Sequence, residues 1–189
     1  MPLAGAGCIS RRVMSARAFL VSVAGTASAV LMLVPAAAAV SPVYSCNGLI
    51  TAKTLSGLTG RSVVAAPPGK PSTLVNCSFR TDAAHLGSSN DLTISAGDPQ
   101  TPISTVKANA VAPSKDFSTG VAKWRFGVVP GLGKSAMVGG FSPDVYIVAI
   151  VGPKTVLWVH YTSMTYKHVK PLSQTQVLAI ARAVYAKLV

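Results

Sequence analysis

Two apolar runs dominate the hydropathy pattern of this chain: residues 145–151 (Val-Tyr-Ile-Val-Ala-Ile-Val) and 156–161 (Val-Leu-Trp-Val-His-Tyr), separated by Gly152-Pro153-Lys154-Thr155. β-Branched and aromatic residues around a Gly-Pro turn predict a β-hairpin. Both faces of both runs are apolar, which places the hairpin inside a sheet with cover on each side. Closing the turn sets Val151 opposite Val156, Ile147 opposite His160 and Tyr146 opposite Tyr161.

The rest of the pattern supplies edges and cover. Alternation predicts strands over 74–79, 91–96 and 121–126, and a short one over 135–138. Thr51 is placed to cap a helix that ends at Gly60, with Ile50 and Leu55 as a hydrophobic staple. Thr101-Pro102 predicts an N-cap and first turn for a helix running to about Ala110, with Ile103 and Val106 facing the core. Ser173 and Gln176 form a capping box for a last helix, stapled by Leu172 and Val177. Along it Val177, Ala181, Val184 and Leu188 share a stripe, widened by Leu178, Ile180 and Tyr185. Residues 67–71 (Pro-Pro-Gly-Lys-Pro) and 81–90 read as loops. The predicted order is helix, two strands, helix, three or four strands, helix. Short connections between strands make this an α+β fold: an antiparallel sheet of about five to six strands packed against helices. There is no sequence repeat, although the halves loosely share a helix-then-strands plan.

The first forty residues differ in kind. Arg11, Arg12 and Arg17 precede an uncharged apolar run over 18–34, which Pro35 and four alanines then close. This is the layout of a cleaved secretory signal peptide. The expected division is residues 1–39 as signal and 40–189 as one exported domain, secreted or associated with the cell envelope. The alternative is an uncleaved signal anchor tethering the domain to the membrane, since about twenty apolar residues span a bilayer. The Arg11-Arg12 pair resembles a twin-arginine signal, but Ser15 stands where a second apolar residue belongs. Cys8 lies ahead of the apolar run and so cannot be a lipidation site.

Charge and cysteines sharpen this picture. The chain has 17 basic residues, 5 aspartates and no glutamate, for a formal charge of +12. Losing Arg11, Arg12 and Arg17 with the signal leaves 14 basic residues against 5 acids, about +9. Two cysteines then remain, Cys46 and Cys77, and an even pair in an exported chain predicts a disulfide. Such a bridge stabilises by roughly 3–4 kcal/mol in the chain-entropy model. A zinc site is disfavoured, because no histidine lies near either cysteine.

Candidate chemistry is sparse. Gly131-Leu132-Gly133-Lys134-Ser135 resembles part of a phosphate loop, but Val128 stands where its first glycine belongs and a strand is predicted to follow. His85, His160 and His168 show no metal-ligand spacing. His160 is expected to be a core or half-buried residue, and His85 and His168 to lie in loops. No Gly-x-Ser-x-Gly elbow or carboxylate pairing is visible, so no catalytic, metal or cofactor residue is assigned. A hydrolase acting on envelope material remains the alternative, because an Asp-His-Ser site forms only in three dimensions. The basic excess is the one functional lead. Lys123 and Arg125 flank Trp124, and Lys167 and Lys170 form a second basic turn. In an exported protein such cations meet anionic envelope lipid or polymer, or an envelope protein, before nucleic acid. On a strand Trp124 would face away from Lys123 and Arg125, which favours a core tryptophan under a solvated basic face.

Cys46-Asn47-Gly48-Leu49-Ile50-Thr51, Asn76-Cys77-Ser78-Phe79, Val129-Pro130-Gly131-Leu132-Gly133 and the alanine-containing last helix together resemble a family of uncharacterised exported and lipoprotein domains of actinobacteria. The resemblance spans roughly residues 46–188. It implies an envelope-associated α+β domain with one disulfide and no established activity. This chain lacks the lipidated cysteine and carries Lys134 where an acid is common. The resulting expectation is a non-enzymatic binding domain of the cell envelope; a signal-anchored sensor-like ectodomain is a further alternative.

Overall fold

The structure is a computed structural model that describes residues 41–81, 90–113, 124–141, 143–163 and 170–189. Everything described lies in one compact unit, Ala39–Val189. It opens with two short helices, α1 (Cys46–Leu49) and α2 (Ala52–Thr59), followed by β1 (Val63–Ala65), β2 (Leu74–Thr81) and β3 (Asn90–Gly97). A helix α3 (Ile103–Val111) leads into β4 (Ala136–Gly139), β5 (Val145–Gly152) and β6 (Thr155–Ser163), and α4 (Gln174–Tyr185) closes the chain.

All six strands form one antiparallel sheet in the order β1-β2-β3-β6-β5-β4. Two three-stranded meanders therefore meet along β3 and β6. A two-fold axis through that pair would exchange the meanders and put the helix before each on the same face. The helices break this relation. Leu55 of α2 lies in the larger core with Val177, Ile180, Ala181 and Val184 of α4, whereas Val106 and Ala110 of α3 pack on Met137, Val148 and Val156. Those last three belong to the opposite sheet face, since strand residues alternate in direction. The loose helix-then-strands plan of the sequence is thus kept in the strands and lost in the cover.

The α+β class, the antiparallel sheet and the disulfide are as expected. Cys46 and Cys77 are bonded, with Cα atoms 5.5 Å apart, and both are buried. Thr51 accepts from the Thr54 N–H, and Gly60 ends α2 in the left-handed region at φ 68. Ser173 and Gln176 form the reciprocal capping box. β1 and the one-turn α1 carry too few residues for a periodic signal and were not foreseen.

Three expectations need correction. Gly152 does pair with Thr155, but a bulge at Val151 then shifts the register by one, so Ile147 faces Val159 and Tyr146 faces His160. Without the extra residue the buried Ile147 would oppose the exposed His160; the bulge brings Ile147 and Val159 together on the core face. Residues 124–126 are irregular rather than strand, and the segment touches the sheet through the Gly127–Ala136 bridge; residues 121–123 lie outside the described residues. Finally, α3 starts after Pro102 rather than Thr101 and has no side-chain cap. The turn ahead of it is closed by Asp98, which accepts from the Gln100 N–H and the Ser41 hydroxyl.

Those two bonds, the Gln100 amide foremost, hold the Asp98 carboxyl below its ordinary range. A depressed folded-state pKa means that the stability from this turn is present above the unfolded value and is lost as pH falls through the lowered one.

Candidate functional site

Sheet cover is unequal, and that decides which side chains are available. α1, α2 and α4 close one face, with Leu92, Ile94, Ile147, Leu157, Val159 and Tyr161 beneath them. On the other face α3 reaches Val148, Val156 and, in part, Trp158. The neighbouring Ser78, Arg80, Asp91, Thr93 and His160 have no helix above them among the described residues. His160 is consequently exposed, which corrects the expectation of a core or half-buried residue. Its Nε2 lies 3.1 Å from the Thr162 hydroxyl, and its ring meets Tyr146 edge-on at 5.6 Å. Burial raises the Tyr146 phenol above its ordinary pKa. No described aspartate comes within hydrogen-bond reach of His160, so the described residues do not assemble an Asp-His-Ser constellation; His85 and His168 lie outside them. Among the described residues no group of three metal-binding side chains forms either.

The Gly131-Leu132-Gly133 loop is built into the core. Leu132 is completely buried in the larger cluster, while Gly131 and Gly133 take φ of 79 and 76. Arg182 of α4 donates from Nε to the Pro130 carbonyl at 2.7 Å and lies against Gly131, and Tyr185 lies against Gly133. Strand β4 follows directly. These glycines accommodate a helix, not a phosphate.

Of the sequence-derived candidates, Trp124 and Lys170 are brought to one place. They line a cleft of about 630 Å³ between the end of edge strand β4, the β4–β5 connection and the entrance to α4. Arg125 is exposed on the same segment as Trp124 but does not line the cleft; Lys123 and Lys167 lie outside the described residues. Trp124 is half-buried, and its indole lies directly over Gly139, where a Cβ would come within 2.5 Å of the ring. Phe141 supports the indole at a centroid distance of 5.4 Å. Gly139 is therefore required by a packed ring, and the core reading of Trp124 gains support. Trp124→Ala should cost about 2 kcal/mol, less than the 3–5 of a fully buried aromatic. A thermal melt superimposable on the wild type would mean that the ring acts only as a surface contact.

No local sequence pattern marks Asp144, the half-buried carboxylate in this cleft. Its Oδ1 accepts from the Ser163 N–H at 3.1 Å. Behind it lies a buried polar network. The Tyr161 hydroxyl donates to Asn90 Oδ1 at 3.2 Å and accepts from the Leu172 N–H at 2.9 Å. The Ser163 hydroxyl donates to the same oxygen at 2.6 Å, and Asn90 Nδ2 is buried without a hydrogen-bond partner among the described residues. From outside, Arg61 donates to the carbonyls of Lys170 and Pro171, and Gln176 Nε2 donates to the Thr59 carbonyl at 3.0 Å. Both segments that wall the cleft are thus pinned to the sheet and to α2, and the cleft is preformed. A site held by such a supporting layer loses little free energy to ordering when it binds.

No protein-family model, curated protein or solved structure matches this chain. Among the described residues no helix is long and apolar enough to cross a membrane.

Proposed function

We propose that this chain is exported and serves as a non-enzymatic binding domain at the cell envelope, drawn to anionic lipid or polymer by its positive field. The observation that supports this most is the excess of basic over acidic side chains, 17 against 5. Between described residues one ion pair forms, Arg80–Asp91 at 3.6 Å, and both partners are more than half exposed. Of the other two described aspartates, Asp98 accepts from Gln100 and Ser41, with the Lys154 charge also acting on it, and Asp144 accepts from the Ser163 amide. With 5 acids against 17 basic side chains, most of the positive charge has no carboxylate in the chain to match it. Such a field steers and concentrates oppositely charged partners without selecting among them.

The test uses protein processed by a native-type export host, with the new N-terminus expected at or near Val40. Sedimentation with phosphatidylglycerol vesicles should be strong at about 0.01 M salt and much weaker at about 0.15 M, as the Debye length falls from roughly 30 to 8 Å. Phosphatidylcholine vesicles should not bring the protein down. Association that is absent, or indifferent to salt and lipid charge, would overturn the reading.

A further inference from the structure

The cleft beside Trp124 differs from the rest of this basic surface. It is lined chiefly by apolar atoms of Val138, Val145, Pro143, Pro171 and Leu172, and its volume of about 630 Å³ falls in the range of small-molecule sites. Residues of both charges line it, Asp144 from the β4–β5 connection and Lys170 from the segment before α4. They form no ion pair with each other; the ion pair between described residues lies elsewhere, at Arg80–Asp91. Asp144 offers Oδ2 while Oδ1 holds Ser163. A ligand bearing only negative charge would meet Asp144 across a partly desolvated space. One bearing only positive charge would enter against the net charge of the domain. A ligand carrying both satisfies both walls, and Trp124 adds an aromatic ring, whose face attracts a cation, to the lining.

We infer that this cleft binds a small zwitterion, its ammonium set against Asp144 and Trp124 and its anionic group toward Lys170, with an apolar body on the proline and aliphatic walls. A free amino acid with an aliphatic side chain and a phosphoethanolamine headgroup share this chemistry. The inference goes beyond charge-driven envelope association, because it depends on one cleft and not on the overall field.

The test is calorimetric titration of the purified protein with L-leucine and with monomeric dihexanoylphosphatidylethanolamine. Leucine stripped of one charge, as 4-methylpentanoate or isoamylamine, serves as control. At least one zwitterion should bind, and whichever is tighter identifies the source. The single-charge analogues should bind about fivefold more weakly or worse, the scale of one partly exposed charge pair. Asp144→Asn keeps an oxygen for the Ser163 amide and removes the charge, so it should lower affinity about fivefold with an unchanged melt. Lys170→Gln removes the other charge from a side chain that makes no described hydrogen bond, and should act likewise. Raising salt to about 0.15 M should release the protein from vesicles while leaving most of the cleft binding, which separates failure of one idea from failure of the other. Absence of binding by both zwitterions, equal binding of the single-charge analogues, or unchanged affinity in both variants would each overturn the inference.

Discussion

Leu132→Ala is expected to destabilise the domain by about 3 kcal/mol, as much as the loss of a leucine from the middle of a strand. Leu132 sits in a loop, where substitutions usually cost little. Here, however, the loop drives a completely buried side chain into the cluster formed with α4. Gly133→Ala should add to the effect for a separate reason. Its φ of 76 disfavours a side chain, and the new Cβ would come within 2.4 Å of the Tyr185 hydroxyl. Tyr185→Phe in the Gly133→Ala background should recover the part due to contact and not the part due to backbone strain. Urea denaturation of the variants decides the matter; a loss below about 1 kcal/mol for Leu132→Ala would show that the loop does not anchor α4. The Pro-Gly-Leu-Gly stretch is on this account a clasp between the chain's second meander and its last helix. Lys134, just beyond it, is exposed, so its charge can vary without disturbing the clasp.

Loss of the disulfide is the second large effect. Cys46→Ala with Cys77→Ala should cost about 3 kcal/mol, because the bond closes a loop with a sequence separation of 31 and constrains the unfolded chain. The bond also fastens α1, a single turn that could not persist alone, to β2 beneath the core. Reductant should lower the wild-type melting temperature and leave that of the double variant unchanged. Equal sensitivity of both proteins, or free thiols in peptides mapped without reduction, would contradict it.

Much of the architecture was legible because its signals are local. The capping box at Ser173, the Thr51 cap and the Gly60 terminus each need a few neighbouring residues. Alternation over 74–79 and 91–96 marks both strands, and the alternate residues Val75, Cys77 and Phe79 of the first are all buried. The pairing of Cys46 with Cys77 followed from arithmetic once Cys8, in the first forty residues, was set aside. The hairpin turn was also placed correctly. Its register was not, because a bulge at Val151 depends on which side chains the completed core demands rather than on the turn.

What only the tertiary structure decided concerns the reach of α3. Its sequence announces an amphipathic helix but not the sheet face it will cover, nor where that cover stops. The apolar character of 156–161 made His160 look like part of the core; the helix covers Val156 and flanks Trp158, and His160 two residues on is in solvent. The same holds for the candidate site. Trp124 and Lys170 were singled out as members of two basic stretches, yet the structure makes them walls of one cleft and inserts Asp144, which no local pattern marked. A cleft arises where the end of an edge strand, a strand connection and a helix entrance converge, and their separations of up to about fifty residues leave no periodic trace in the chain. Composition determined that the domain is basic; long-range packing determined that one of its few carboxylates lines the same cleft as a lysine with which it forms no ion pair.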